Sequence, residues 1–114
     1  MEPDLLKFYG SKEHKENTCL DLIKTYQENI WKDEIYLLTL EEVKGDKRKE
    51  IAGIQLKLDN KEFKSKNEGE KAKFVAEREL AQIDQEIKTV TEKVQHIWPA
   101  RIQMVKDYLA KDQA

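Results

Sequence analysis

The sequence has one cysteine, four glycines and two prolines among 114 residues, and it has no long hydrophobic run. Cys19 cannot form a disulfide within the chain, so nothing requires an oxidising compartment. So few glycines and prolines leave too little turn material for a fold of many strands. The first residues lack the regions of a secretory signal, and no segment approaches the roughly 20 apolar residues that cross a bilayer. These absences predict a cytoplasmic protein without a membrane segment.

The sequence also lacks a large excess of charge of either sign, because 21 basic and 23 acidic residues leave a net charge of only −2. The two signs are interspersed, so no strong field of the whole protein attracts nucleic acid or an anionic membrane. Charged residues make up 39% of the chain, compared with about 25% in typical globular proteins. This length and composition predict one domain over residues 1–114 that is built from long, partly exposed helices.

An apolar seam with helical spacing is the clearest pattern that is present, and it lies in the C-terminal third of the chain. Its members are Leu80, Ile83, Ile87, Val90, Val94 and Ile97. Residues three and four apart share one helical face, and the intervening residues are nearly all polar or charged. The pattern predicts a helix from about Glu70 to Trp98 that must bury this seam against another element.

A second long helix is predicted in the N-terminal half, over roughly Ser11–Val43. Ser11 is suited to be its N-cap, and Leu20, Ile23, Ile30 and Leu37 lie on one broad face. The first ten residues, which end at Gly10, favour a short preceding helix.

Residues 45–67 are the ambiguous connecting segment. Ile51, Ile54 and Leu58 have helical spacing, but residues 54–59 also alternate as a half-buried strand does, with residues 35–40 as a possible partner strand. We favour a helix because good helix formers dominate the segment and an isolated two-stranded hairpin is marginally stable. The alternative is an α+β fold with a hairpin within residues 35–59.

Pro99 interrupts the helical pattern near the C-terminus, and Ile102, Val105 and Leu109 then resume an apolar face. Proline kinks or ends a helix, so this last segment is either a kinked continuation or a separate short helix that folds back. Together the segments predict an all-α fold, a three- or four-helix antiparallel bundle with coiled-coil character.

Residues that carry catalysis or bind metal are sparse. His14, His96 and Cys19 are scattered, and neither an H-E-x-x-H nor a C-x-x-C motif is present. The four glycines are isolated, so there is no glycine-rich phosphate loop. We therefore expect no enzymatic activity, no cofactor and no metal site.

One short string has a family resemblance. Residues 108–112 (Tyr-Leu-Ala-Lys-Asp) resemble the Y-x-x-x-D/E tail of small helical-hairpin substrates of type VII secretion. The W-x-G turn of that family is missing, since Trp31 precedes Lys-Asp and Trp98 precedes Pro-Ala. The sequence therefore assigns the chain to no family.

The seam predicts a protein-interaction module, such as an adaptor, small chaperone, assembly subunit or inhibitor, that docks through an amphipathic helix onto another protein or onto itself. Self-association is the simplest form, because heptad-spaced apolar residues pair with copies of themselves. The predicted interface residues are Ile83, Ile87, Val90, Val94, Ile97 and Trp98.

The alternative function is a nucleic-acid-associated subunit that uses the lysine-rich segment 44–73. Its candidate contacts are Lys44, Lys47, Arg48 and Lys49. Phosphate binding needs such basic clusters. Because acidic residues are interleaved and arginine is scarce, we rank this function second.

Overall fold

A computed structural model describes the backbone of residues 12–113 and the side chains of residues 13–111. All regular structure in this part of the chain is helical. Helix α1 spans Lys12–Asp59, α2 spans Lys66–Glu92, a π-helical turn spans Lys93–Ile97, and α3 spans Trp98–Gln113. The predicted all-α class is confirmed, whereas the predicted short N-terminal helix and the Ser11 cap lie outside the described residues.

The alternative of a strand hairpin within residues 35–59 is wrong, because α1 runs through this whole segment. The predicted end of the first helix near Val43 is also wrong. A glycine in a helix interior costs only about 1 kcal/mol relative to alanine, and the helix formers on both sides of Gly45 outweigh that cost. Ile54 and Leu58 lie on the half-buried side of α1, and Leu56 between them is 60% exposed.

The connection between α1 and α2 is short and has well-defined caps. The N–H of Lys61 bonds the Leu58 carbonyl at 3.2 Å, and the N–H of Glu62 bonds the Lys57 carbonyl at 2.9 Å. This pair of bonds is a Schellman motif, and it places Lys61 in the left-handed region with φ 56°. The Ser65 hydroxyl then accepts the Glu68 N–H at 3.2 Å and caps α2, which begins a few residues before the predicted start.

The region around Pro99 is a continuation of the helix. The π turn follows α2 directly, α3 follows the π turn, and the Trp98 N–H bonds the Lys93 carbonyl five residues earlier. In a regular α-helix the proline ring would collide with the carbonyl group four residues before it. The chain thus departs from α geometry in the turn just before Pro99, and the alternative of a separate, folded-back helix is wrong.

The chain divides into two compact units, which we describe separately. Unit 2 comprises Ile35–Thr91. Bonds between its two helices join residues 36 and 86, 44 and 84, 47 and 79, and 55 and 73. Partner numbers fall on α2 as they rise on α1, so the helices are antiparallel. The buried side chains of this unit are those of Leu40, Ala76 and Val90.

Unit 1 comprises Met1–Glu34 and Glu92–Ala114. In its described part, the beginning of α1 packs antiparallel to α3. Cys19 and Val105 are 1% and 6% exposed, and they form the centre of this core. The partly buried side chains around them are those of Leu22, Ile23, Tyr26, Tyr108 and Leu109.

Candidate functional site

The predicted interface residues within unit 2 lie on the covered side of α2. Val90 is 3% exposed, and Ile83 and Ile87 are half-buried. Ala76, which is on the same face of α2, is 2% exposed. The seam of unit 2 is therefore covered within the hairpin of α1 and α2. A contact of these residues with another molecule stays a prediction.

The π turn determines which of the predicted interface residues within unit 1 are covered and which are exposed. Val94 and Trp98 are half-buried, but Ile97 is 37% exposed. The π turn adds one residue to the helical repeat, so the covered face continues through Trp98 and Val105. A regular α-helix would instead continue it through Ile97 and Met104, and Met104 is 59% exposed.

Trp98 is the centre of an aromatic cluster in unit 1. Its indole N–H donates to Asp33 Oδ2 at 2.8 Å. Its ring stacks on Tyr26 with 5.9 Å between centroids, and the Arg101 guanidinium lies 5.3 Å from the ring centre. A half-buried indole needs a partner for its N–H, and Asp33 supplies one from the covered face of α1. The indole thus links α1 and α3 within this unit.

The predicted basic cluster divides into two pairs with different environments. Lys44 forms an ion pair with Asp84 at 2.7 Å, and Lys47 forms one with Glu79 at 3.1 Å, so these lysines connect α1 to α2 inside unit 2. Both lysine side chains are only about one-fifth exposed. Arg48 and Lys49 are exposed, and neither forms an ion pair with any residue in the described range.

The bonds between the helices of unit 2 also shift acid–base equilibria. The hydrogen bond from Lys44 lowers the pKa of Asp84, and the hydrogen bond to Glu79 raises the pKa of Lys47. The Tyr36 hydroxyl donates to Glu86 at 3.1 Å, and this bond raises the pKa of Tyr36. Each shift favours the protonation state that keeps its bond between the helices.

Sequence reasoning missed a second stripe, which lies on the outer face of α1 in unit 2. We call it the outer stripe, and it comprises Ile35, Leu38, Glu42, Gly45, Lys49, Ala52 and Leu56. Its members recur at alternating steps of three and four, so they share one helical face. Ile35, Leu38 and Leu56 are 65%, 72% and 60% exposed. The spacing of these residues is visible in the sequence. The stripe was missed because its second half lies in residues 45–67, for which both a helix and a strand were considered.

The glycines of unit 2 indicate which faces are covered. A Cβ atom added at Gly69 would overlap the Leu58 side chain and lie 2.7 Å from Phe63, so any larger residue there would force these side chains to shift. A Cβ atom added at Gly45 or Gly53 would have no neighbour within 4 Å. Gly45 therefore has no packing role within the unit, and the outer stripe is open at its centre.

The histidines and the cysteine do not come together as a group of metal-ligating side chains in the described part of the chain. No group of three His, Cys, Asp or Glu residues there is arranged to hold a metal ion. His96 lies 4.0 Å from Glu92, one turn earlier on an exposed face. Cys19 lies in the core of unit 1, where it packs as a small apolar side chain.

In the comparisons with known proteins, the chain matches no family model, no curated protein and no solved structure. Within residues 12–113, no helix has both the length and the apolar character that a membrane span requires.

Proposed function

We propose that this protein is a non-enzymatic helical interaction module, of the adaptor, small-chaperone, assembly-subunit or inhibitor kind. The observation that carries the proposal is the open apolar surface of unit 2. Ile35, Leu38 and Leu56 are each at least 60% exposed on a face with heptad spacing. Heptad-spaced apolar residues on a helix are a surface that other helices recognise.

The proposal includes a bundle of three or four helices. Two antiparallel helices shield each seam residue from one side, and Ile83 and Ile87 accordingly stay half-buried. A helix or a helical hairpin from a partner would cover more apolar surface and raise the number of packed helices. Coiled-coil character follows from the alternating three- and four-residue spacing.

The docking surface in this proposal is the outer stripe. Ile83, Ile87 and Val90 already pack inside unit 2, so they favour a structural role in the hairpin. Ile35, Leu38 and Leu56 of the outer stripe are each at least 60% exposed, so a partner can reach them without opening the hairpin.

Photo-crosslinking in the cell of origin tests the interaction. A photoreactive phenylalanine analogue replaces Ile35 or Leu38 in the full chain, and the same analogue replaces Gln82 on the exposed side of α2 as the matched control. Protein adducts are expected from positions 35 and 38 at several times the yield at position 82. Equal yields at all three positions, or no protein adduct, would contradict an interaction module.

A second candidate function, nucleic-acid association, is favoured by the lysines near the hairpin turn. An open hollow of about 660 Å³ there is bordered by Lys61, Lys64, Lys66 and Lys73, together with Asp59 and Glu70. Two of the residues first predicted as contacts, Arg48 and Lys49, are also exposed. Lys44 and Lys47 support this function less, because they are already bonded to carboxylates on α2.

A mobility-shift titration at low and moderate salt tests the second candidate. Retardation of DNA or RNA that collapses as salt rises, and that weakens in Lys61→Glu/Lys64→Glu, is expected if the lysines bind phosphates. The matched control is Lys88→Glu on α2. Absence of retardation at low salt would eliminate this candidate.

A further inference from the structure

We infer that the partner of the outer stripe is a second copy of this chain, bound antiparallel with the two α1 helices crossing at Gly45. The inference rests on the proposed function and specifies its partner. It follows from the order of residues along the stripe, from the distribution of charge around its centre, and from a glycine that has no packing role inside the hairpin.

The residues of the outer stripe match when it is read in opposite directions from Gly45. Leu38 lies seven residues before Gly45 and Ala52 lies seven residues after it. Ile35 lies ten residues before Gly45 and Leu56 lies eleven residues after it, so the two apolar ends match to within one residue. In an antiparallel pair centred on Gly45, residues equally far from the centre lie level with each other along the helix axis. Apolar residues of one copy therefore meet apolar residues of the other.

Charge is complementary under the same arrangement. Glu41 and Glu42 precede Gly45, and Arg48 and Lys49 follow it at matching distances. All four are exposed in unit 2. An antiparallel partner sets the acidic half of one stripe against the basic half of the other, twice per dimer. A parallel partner in register would set like charges against each other.

Gly45 gives a separate reason for a neighbour at the centre of the stripe. A glycine in the middle of a helix lowers helix stability relative to alanine, and the hairpin does not require it, because a Cβ atom there would meet nothing within 4 Å. A helix from outside that approaches closely at Gly45 accounts for a residue without a side chain at this position.

The occupant is a copy of this chain because the stripe complements itself. A two-fold interface uses the same patch on both molecules, so each residue must suit the residue that the symmetry places opposite it. The two apolar ends, the two opposite charge pairs and the single small residue on the axis all meet this condition.

The first experiment is a charge exchange on the purified full chain, followed by sedimentation equilibrium. The wild type is expected to dimerise. Glu41→Lys/Glu42→Lys and Arg48→Glu/Lys49→Glu are each expected to weaken the dimer by about tenfold or more, because every pair between the copies becomes repulsive. The fourfold exchange in one chain, and an equimolar mixture of the two double variants, are expected to restore association. Circular dichroism of each variant confirms that the helices form.

The second experiment locates the two-fold axis. In Gly45→Cys the two new thiols face each other across the axis, and mild oxidation is expected to link most of the protein as a dimer. The matched control is Lys57→Cys, an exposed position off the stripe, and we expect a several-fold lower yield there. Both variants retain Cys19, which is buried in unit 1.

The outcomes separate this inference from the proposed function. A wild type that stays monomeric, association that the exchanged pair does not restore, or equal oxidation yields at positions 45 and 57 would each overturn the two-fold pairing. Under any of these results, crosslinks from positions 35 and 38 to a different protein would leave the interaction module standing.

Discussion

The two units have the same antiparallel packing of helices but hold it with different chemistry. In unit 1, Trp98 joins α3 to α1 by stacking on Tyr26 and by a 2.8 Å hydrogen bond to Asp33. In unit 2, lysines at the margin of the covered face form ion pairs across the hairpin, Lys44 with Asp84 and Lys47 with Glu79.

The difference shows two ways in which polar groups can take part in the contact between two packed helices. The indole in unit 1 contributes one directed bond and a large apolar area, and the burial of apolar area depends little on salt or pH. The ion pairs of unit 2 contribute less free energy and respond to both, but they set which residues of α2 lie beside α1. The indole thus contributes mainly to the stability of unit 1, and the ion pairs mainly define the register of the two helices in unit 2.

The largest expected effect comes from removing the indole. Trp98→Ala is expected to lower the free energy of unfolding by about 3 kcal/mol, because the stacking and the bond to Asp33 are lost together. Urea denaturation followed by circular dichroism measures it. The matched control is Trp31→Ala, because Trp31 is 63% exposed and its loss is expected to change stability by about 0.5 kcal/mol or less. Equal effects of the two variants would contradict the role assigned to the cluster.

Next in size is an opposite response of two glycines in unit 2. Gly69→Ala is expected to cost about 2 kcal/mol, because its new methyl group overlaps Leu58 and Phe63. Gly45→Ala is expected to stabilise the helix by about 1 kcal/mol, since nothing lies within 4 Å of the new atom. Denaturation of dilute protein measures both values. The same sign for both variants would show that the hairpin does not distinguish the two faces as described.

A smaller gain is expected at the turn that closes unit 2. Lys61 holds a φ of 56°, where a side chain costs about 1 kcal/mol and glycine costs nothing. Lys61→Gly is therefore expected to stabilise the chain by about that amount. Lys64→Gly, in the same connection, serves as the control and should give no gain. Thermal denaturation of both variants decides between them.

The smallest effect is a pH dependence confined to unit 2. The pKa of Asp84 is lowered from 3.8 by Lys44, so its contribution to stability is present above pH 3.8 and is lost as the pH falls through the lowered pKa. The pKa of Lys47 is raised from 10.5, so its contribution is present below pH 10.5 and is lost as the pH rises through the raised value. We call the loss of stability of unit 2 as the pH falls its acid limb, and amide hydrogen exchange in unit 2 measures it.

Asp84→Asn is expected to flatten that acid limb, and Asp46→Asn, which changes an exposed carboxylate nearby, is expected to leave it unchanged. An acid response that persists in Asp84→Asn would assign the dependence to other carboxylates. The same measurement on amides of unit 1 should show a weaker response, which tests the comparison between the units directly.

Much of the fold followed from local patterns. The seam residues from Leu80 to Val90 predicted α2 correctly, because spacing of three and four is a property of the helix itself. The end predicted near Val43 was wrong because a single glycine is too weak a signal to end a helix of good formers. The π turn before Pro99 was not predicted, and it moved Ile97 toward solvent and Trp98 toward the covered face.

The surroundings of the candidate site residues depend on contacts between distant parts of the chain. Val90 was expected at an interface with another molecule, and it is buried in unit 2. Lys44 and Lys47 were expected to be available for phosphates, but carboxylates of α2 bind them. Their partners lie 40 and 32 residues away along the chain, so no local reading of the sequence pairs them.

The sequence by itself determined that the described chain is helical and that its apolar residues form stripes, since periodicity and helix propensity act over a few neighbouring residues. Only the tertiary structure decided which stripe of α1 faces inward. Leu40, Lys44 and Lys47 meet α2, while Ile35, Leu38 and Leu56 stay exposed, although both sets have helical spacing. The choice depends on which face finds complementary side chains across the hairpin, and those side chains come from a distant part of the chain.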